Sequence, residues 1–121
     1  MIKLKRAYQA AEESDGVRVL VDSLWPRGVT KERAAIEWWA KELAPSAELR
    51  RWFGHDPVRF AEFAERYLAE LDVDGGGNDA LAKLKEMART RTVTLVYGAR
   101  DTEHNQAVVL AGVLPREPVT A

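Results

Sequence analysis

The sequence contains no cysteine, which excludes disulfide bonds, cysteine nucleophiles, thiolate zinc sites and iron–sulfur clusters built from this chain. It also lacks any apolar run near the roughly 20 residues that a membrane-spanning helix needs. The start, "MIKLKRAY", has no apolar stretch of signal-peptide length. We therefore expect a cytoplasmic protein with no membrane segment, whose stability comes from packing.

The sequence also lacks a strong charge of either sign. Its 18 basic and 19 acidic residues give a net charge of −1, which provides no general attraction to phosphate polymers and disfavours nucleic-acid binding. Twelve of the 18 basic residues are nevertheless arginine, whose planar guanidinium suits carboxylate or phosphate recognition better than lysine does. The composition is therefore compatible with a local binding site for an anion.

Three segments have the pattern of β-strands and five have the pattern of helices. Residues 2–8 alternate apolar and polar side chains, as in a half-exposed outer strand, whereas residues 17–21 and 92–99 are nearly continuous apolar runs typical of buried strands. Helical spacing covers residues 34–44, 45–54, 55–71, 80–88 and 105–114. Ser46, Asp56, and either Asn78 or Asp79 are the expected helix caps, with Gly54 as a stop.

Helical stretches between the strands imply crossover connections and hence parallel pairing. We expect one α/β domain over residues 1–114, with a small, mostly parallel sheet of about three strands packed with four to five helices. Residues 115–121 are expected to form a loose tail.

Polar side chains follow both buried strands at the point where each strand ends. Because carboxyl ends of parallel strands meet at one edge of a sheet, the two groups should form one polar pocket, with further N–H donors from a last helix beginning near Thr102. The first group is Asp22, Ser23, Trp25 and Arg27, and the second is Arg100, Asp101, His104 and Asn105.

An anionic ligand would suit this pocket. Arg27 and Arg100 would hold the anion, and Asp22 or Asp101 would orient the ligand or carry a proton. His104 would be the acid or base if a reaction occurs. The other expected ligand contacts are Trp25, Asn105 and His55.

Each of these residues also has a purely structural explanation. Asp101 could cap the last helix, Asp22 could pair with Arg100 or Arg18, and Trp25 could close a turn against the core. The sequence predicts no cofactor. A divalent metal held by the only two histidines, His55 and His104, with Asp22 or Asp101 stays open, although no spacing of a known metal motif is present.

The motifs "GVRVLVDSLWPRG", "KELAPSAELRRWFGHDP", "FAERYLAEL" and "VTLVYGARDTEHNQAVVL" together resemble the YeaO-like family, a branch of domain of unknown function 488 found in small bacterial proteins. The resemblance runs from about Ile2 to Leu114. It implies a polar patch shared by the family but no established activity. Ser23 stands where relatives commonly carry arginine and Gly98 where they commonly carry alanine. If that arginine is an anion contact in relatives, Arg18 or Arg100 would have to replace it in this chain.

Two main hypotheses of function follow. In the first, the protein binds a small ligand bearing phosphate or carboxylate and is a candidate hydrolase of phosphoester or nucleotide-like substrates. In the second, it is a non-enzymatic interaction or regulatory module and a candidate homodimer, in which the tryptophans and the last helix make contacts. Nucleic-acid binding is a distant third because of the net charge.

Overall fold

A computed structural model of the chain describes residues 1–115. Within that range four strands form one all-parallel sheet in the order β1-β4-β2-β3. The strands are β1 (Ile2–Arg6), β2 (Val17–Leu20), β3 (Trp38–Trp39) and β4 (Val93–Tyr97). The α/β fold with a parallel sheet is therefore confirmed, with one strand more than expected. Apart from its first residue, the tail predicted over residues 115–121 lies outside the described residues.

The same range contains five α-helices and three short 3-10 segments. The helices are α1 (Lys31–Ala34), α2 (Ala47–Phe53), α3 (Phe60–Glu70), α4 (Asp79–Thr90) and α5 (Gln106–Ala111), and the 3-10 segments are Glu13–Asp15, Lys41–Leu43 and Pro57–Arg59. None of the described helices is both long and apolar enough to cross a membrane.

The predicted caps are confirmed in the structure. The side chain of Ser46 accepts the backbone N–H of Leu49 at the start of α2, and that of Asn78 accepts the N–H of Leu81 at the start of α4. Gly54 ends α2 in the left-handed conformation. Asp56 caps a 3-10 turn that leads directly into α3.

The helix predicted over residues 34–44 is wrong. Ala35 turns the chain out of α1 in a left-handed conformation, and the next residues run along strand β2. The backbone N–H of Glu37 donates to the carbonyl of Arg18, and that of Ala40 donates to the carbonyl of Leu20. The sheet therefore offers this segment backbone hydrogen bonds that local helical spacing does not reveal, and aromatic side chains favour strands.

The main core lies on one face of the sheet, where helices α2 to α5 cover alternate residues of β2 and β4. Val17, Val19, Val93 and Leu95 are fully buried on this face. The helices contribute apolar side chains at the predicted spacing, among them Leu49, Phe53, Phe63, Tyr67, Leu81, Leu84, Ala88, Ala107 and Leu110.

The opposite face of the sheet carries a buried ionic group. The carboxylate of Asp15 is fully buried and accepts hydrogen bonds from Lys3, Lys5 and Arg18. The hydroxyl of Thr94 donates to the carbonyl of Asp15. Since the Cα atoms of Lys3 and Arg18 both lie opposite Thr94, this Asp15 cluster fastens the turn before β2 across three strands.

The Asp15 cluster also determines which side chains of the outer strand β1 are buried. The side chain of Lys5 is only 11% exposed because it points toward Asp15, whereas Leu4 is 38% exposed. A smaller second core on this face consists of Ala7, Leu20 and Val96, with Trp25, Ile36 and Trp39 packed against it.

Candidate functional site

A pocket of about 330 Å³ lies at the carboxyl edge of the sheet, where sequence analysis expected polar side chains to meet. Beyond the end of β2 the chain continues through Val21 to Asp22, and β4 is followed by Gly98. Helices α2, α3 and α5 close the pocket from the side of the main core. Its lining residues are Asp22, Ser23, Leu24, Pro45, Arg50, Phe53, His55, Phe63, Gly98, Ala99 and Gln106.

The carboxylate of Asp22 joins three elements at this pocket. Its Oδ2 accepts the backbone N–H of Gly98 at 2.8 Å, and its Oδ1 accepts the side-chain amide of Gln106 at the start of α5. Burial raises the pKa of Asp22 above its ordinary value, while the Gly98 and Gln106 donors and the charges of Arg50 and His55 act in the opposite direction. Asp22 is therefore a half-buried carboxylate fixed in one orientation.

Two basic side chains from outside the sheet reach the same pocket. Arg50 lies in the last turn of α2, and His55 follows the glycine that ends this helix. Neither forms a salt bridge with any residue from 1 to 115. Both residues are exposed to solvent, so they can contact a molecule that enters the pocket.

An aromatic group forms the apolar part of the pocket. The rings of Phe53 and Phe63 stack with centroids 4.3 Å apart, and both line the pocket while belonging to the main core. The ring of His55 lies 6.0 Å from that of Phe53. The pocket therefore combines one carboxylate, two basic groups and a rigid apolar side.

The two arginines expected to hold the anion are elsewhere. Arg27 and Arg100 are exposed and are not among the lining residues of this pocket. Trp25 lies on the other face of the sheet, where its ring meets that of Trp39 edge-on at 5.5 Å and its N–H donates to the carbonyl of Val29. Trp25 thus packs in the second core, as its structural explanation proposed.

Asp101 and His104 form a local pair outside the pocket lining. Asp101 accepts the backbone N–H groups of Glu103 and His104, and its Oδ2 lies 2.9 Å from Nδ1 of His104. The N–H of Glu103 is the main cause that holds the pKa of Asp101 below its ordinary value, with a further contribution from His104. The His104 ring meets Phe60 edge-on at 5.2 Å.

The start of the last helix differs from the prediction. Helix α5 begins at Gln106, and the buried Asn105 is its cap, accepting the N–H of Val108. The expected N–H donors of a helix beginning near Thr102 are therefore absent from this described segment, and Asp101 closes the turn before the helix instead of capping it. Asn105 directly precedes the first helical residue, so its side chain is the one placed to accept the N–H of Val108.

The ion pair suggested for Asp22 is also wrong. Arg18 pairs with Asp15 at 2.7 Å on the opposite face of the sheet, and no salt bridge joins Asp22 to Arg100 within the described residues. Arg18 alternates along β2 with the main-core residues Val17 and Val19, so its side chain points to the face that carries Asp15.

The comparisons with known proteins agree with these motifs. A family model, DUF488-N3i, described as "Inactive DUF488-N3 subclade", matches residues 1–119. The chain belongs to this family. The uncharacterized protein YeaO of Escherichia coli K12 is 46% identical over 110 residues, which cover 91% of this chain and 93% of the relative. The predicted resemblance is confirmed.

Two mycobacterial relatives extend the DUF488-N3i comparison. The uncharacterized proteins Rv3073c of Mycobacterium tuberculosis H37Rv and Mb3100c of Mycobacterium bovis are each 41% identical over 113 residues, covering 93% of this chain and 92% of each relative. No solved structure matches the chain at a significant level.

Arg50 and Gln106 are polar lining residues of this DUF488-N3i protein that the sequence does not predict. Arg50 stands next to the exposed Arg51 in α2, and no local pattern separates the two arginines. The useful signal is its spacing: Arg50 precedes Phe53 by three residues, so the two share one side of α2. Once Phe53 is assigned to the core, Arg50 must lie at the core's edge.

The residues from 1 to 115 contain no group of three or more His, Asp or Glu side chains placed to hold a metal ion. The two histidines contact different phenylalanines. The ring of His55 lies beside Phe53, and that of His104 lies beside Phe60.

The backbone of His55 adopts a conformation that costs stability. His55 has a φ of 56°, in the left-handed region that disfavours side chains other than glycine. We expect His55→Gly to be more stable than His55→Ala by about 1 kcal/mol, since both remove the imidazole and only glycine relieves the backbone. Urea unfolding measures the difference. Equal stabilities would show that this residue carries no backbone strain.

Proposed function

We propose that this protein binds a small molecule bearing a phosphate or carboxylate group in the pocket at the carboxyl edge of the sheet. Arg50 and His55 would contact the anion, in place of the arginines chosen from sequence. The observation that carries the proposal is that these two basic side chains line one pocket without a salt-bridge partner among residues 1–115.

The chemistry of the lining supports a small anionic ligand. A guanidinium offers forked N–H donors that match the oxygens of phosphate or carboxylate, and an imidazole adds one more donor. The volume of about 330 Å³ lies near the lower end of the roughly 300–1,000 Å³ typical of ligand pockets. A molecule of about nucleotide size or smaller is therefore the best match.

Binding without turnover is the form of the proposal that we favour. The expected acid or base, His104, is paired with Asp101 and is not among the lining residues, whereas Asp22 is. Hydrolysis would have to use His55 beside Asp22. The word "Inactive" in the family description also favours a binding protein. A chain without cysteine suits the cytoplasm, which is where we place this function.

Isothermal calorimetry with ribose 5-phosphate tests the proposal. We expect Arg50→Ala to weaken binding by roughly tenfold or more, because a charge-assisted hydrogen bond contributes about 1.5–3 kcal/mol. The matched control is the double variant Arg27→Ala with Arg100→Ala, which removes two exposed guanidiniums outside the lining and should leave affinity within about twofold. Absence of binding to the wild type, or loss in the control alone, would refute this assignment.

A further inference from the structure

We infer that the ligand of this pocket also presents two adjacent, coplanar N–H donors to Asp22, as a guanine base or a guanidinium group does. This inference rests on the proposed function and deepens it. The ligand would carry an anionic group that contacts Arg50 and His55 and a pair of N–H donors that contacts Asp22.

Asp22 keeps hydrogen-bonding capacity on both of its oxygens. Each of its oxygens accepts one donor, Oδ2 from the backbone of Gly98 and Oδ1 from the amide of Gln106. An ionised carboxylate has about four acceptor sites, so each oxygen keeps one for a further donor. Two parallel N–H groups on a planar ligand match such a pair of oxygens better than one ammonium does.

Asp22 also forms no direct salt bridge within residues 1–115, although the charges of Arg50 and His55 act on it. No lysine or arginine among residues 1–115 forms a salt bridge with it, although it is half-buried and lines the pocket. Leaving acceptor capacity in a partly desolvated wall is unfavourable unless water or a ligand supplies donors. Gly98 and Gln106 hold the carboxylate at the pocket wall and so define where those donors would lie.

The acidic and basic groups of the pocket come from different elements of the fold. Asp22 follows β2 and is held by the residues after β4, whereas Arg50 and His55 come from α2 and the turn after it. The acceptor pair and the basic pair thus belong to different elements. Phe53 completes the pocket with an apolar surface suited to a flat ring. A planar donor group linked to an anion satisfies all three surfaces.

Calorimetry with matched ligands tests the inference. If the donor group is a guanine base, guanosine 5′-monophosphate should bind the wild type roughly tenfold or more tightly than ribose 5-phosphate. If it is a guanidinium, guanidinoacetate should bind roughly tenfold or more tightly than propionate. The first result identifies a guanine base as the donor, and the second a guanidinium. Inosine 5′-monophosphate, which lacks the exocyclic amino group, should lose most of the advantage if the guanine base is recognised.

The variant Asp22→Asn provides the second arm. It keeps one acceptor oxygen for Gly98 but removes the carboxylate, so guanosine 5′-monophosphate should fall to within about twofold of inosine 5′-monophosphate, or guanidinoacetate to within about twofold of propionate. Glu48→Gln, which neutralises an exposed carboxylate of α2 outside the lining, should keep the preference. Thermal melting checks that both variants fold.

The outcomes separate the two proposals. If ribose 5-phosphate binds through Arg50 but neither donor ligand exceeds its donor-free partner, this inference is overturned and the proposed function stands. A donor preference that persists unchanged in Asp22→Asn also overturns the inference. If no anionic probe binds the wild type, both proposals fail.

Discussion

Replacing Asp15 with Asn lowers the free energy of unfolding by roughly 3 kcal/mol, because it leaves a buried positive charge without its counter-ion. Arg18 is 3% exposed, and its guanidinium lies 2.7 Å from the carboxylate of Asp15. One nitrogen of Arg18 already lacks a hydrogen-bond partner among the described residues. Lys3 and Lys5 are partly exposed and can turn toward water, but Arg18 cannot.

Acid unfolding distinguishes this electrostatic cause from lost packing. Burial acts to raise the pKa of Asp15, but hydrogen bonds from Lys5, the backbone of Glu12, Lys3 and Arg18 outweigh it and hold the pKa well below its ordinary value. As the pH falls below roughly 3.9, the unfolded chain takes up the proton first, so the advantage of the wild type over Asp15→Asn should narrow.

The exposed pair of Glu86 and Arg89 supplies the control for Asp15. Glu86→Gln should change the free energy of unfolding by less than about 1 kcal/mol, because water already solvates both charges. Urea unfolding at neutral and acid pH measures both variants. An effect of Asp15→Asn as small as that of Glu86→Gln would contradict a stabilising role of the cluster.

Replacing Gly16 with Ala lowers the free energy of unfolding by at least about 3 kcal/mol. Gly16 has a φ of 63°, and a Cβ there would lie 2.2 Å from the backbone oxygen of Thr92. That oxygen accepts the N–H of Val17, so the backbone cannot move away without breaking the pairing of β2 with β4. Denaturant unfolding measures the loss.

Gly28 is the matched control for Gly16. Its φ is 80°, but a Cβ at this position would meet no atom within 4 Å. We expect Gly28→Ala to lower stability by only about 1 kcal/mol, the backbone contribution alone. Similar losses in the two variants would mean that the close approach to Thr92 relaxes without penalty.

Most of the fold follows from local patterns in the sequence. Buried runs specify β2 and β4, apolar spacing specifies α2 to α5, and Ser46 and Asn78 mark helix starts through their own hydrogen bonds. Strand β3 and the Asp15 cluster do not follow from such patterns. Both depend on partners distant in sequence, namely the carbonyls of β2 and the side chains of β1.

The site shows the same division between local and distant causes. Parallel strands place Asp22 and Gly98 at one edge, which the sequence indicated through its strand ends. Arg50 reaches this edge only because α2 packs on the main core through Leu49 and Phe53, and sequence alone does not give that docking. Arg27 and Arg100 follow the correct strands but lie outside the lining.

The central claim is that an anion binds between the carboxyl edge of the sheet and α2, and mapping of amide chemical shifts tests it most directly. Titration of the ¹⁵N-labelled protein with ribose 5-phosphate should shift the backbone signals of His55, Gly98 and Gln106 in a saturable manner. The signal of Arg27 should stay in place. Shifts centred on Arg27 and Arg100, or no saturable shift at all, would contradict the account.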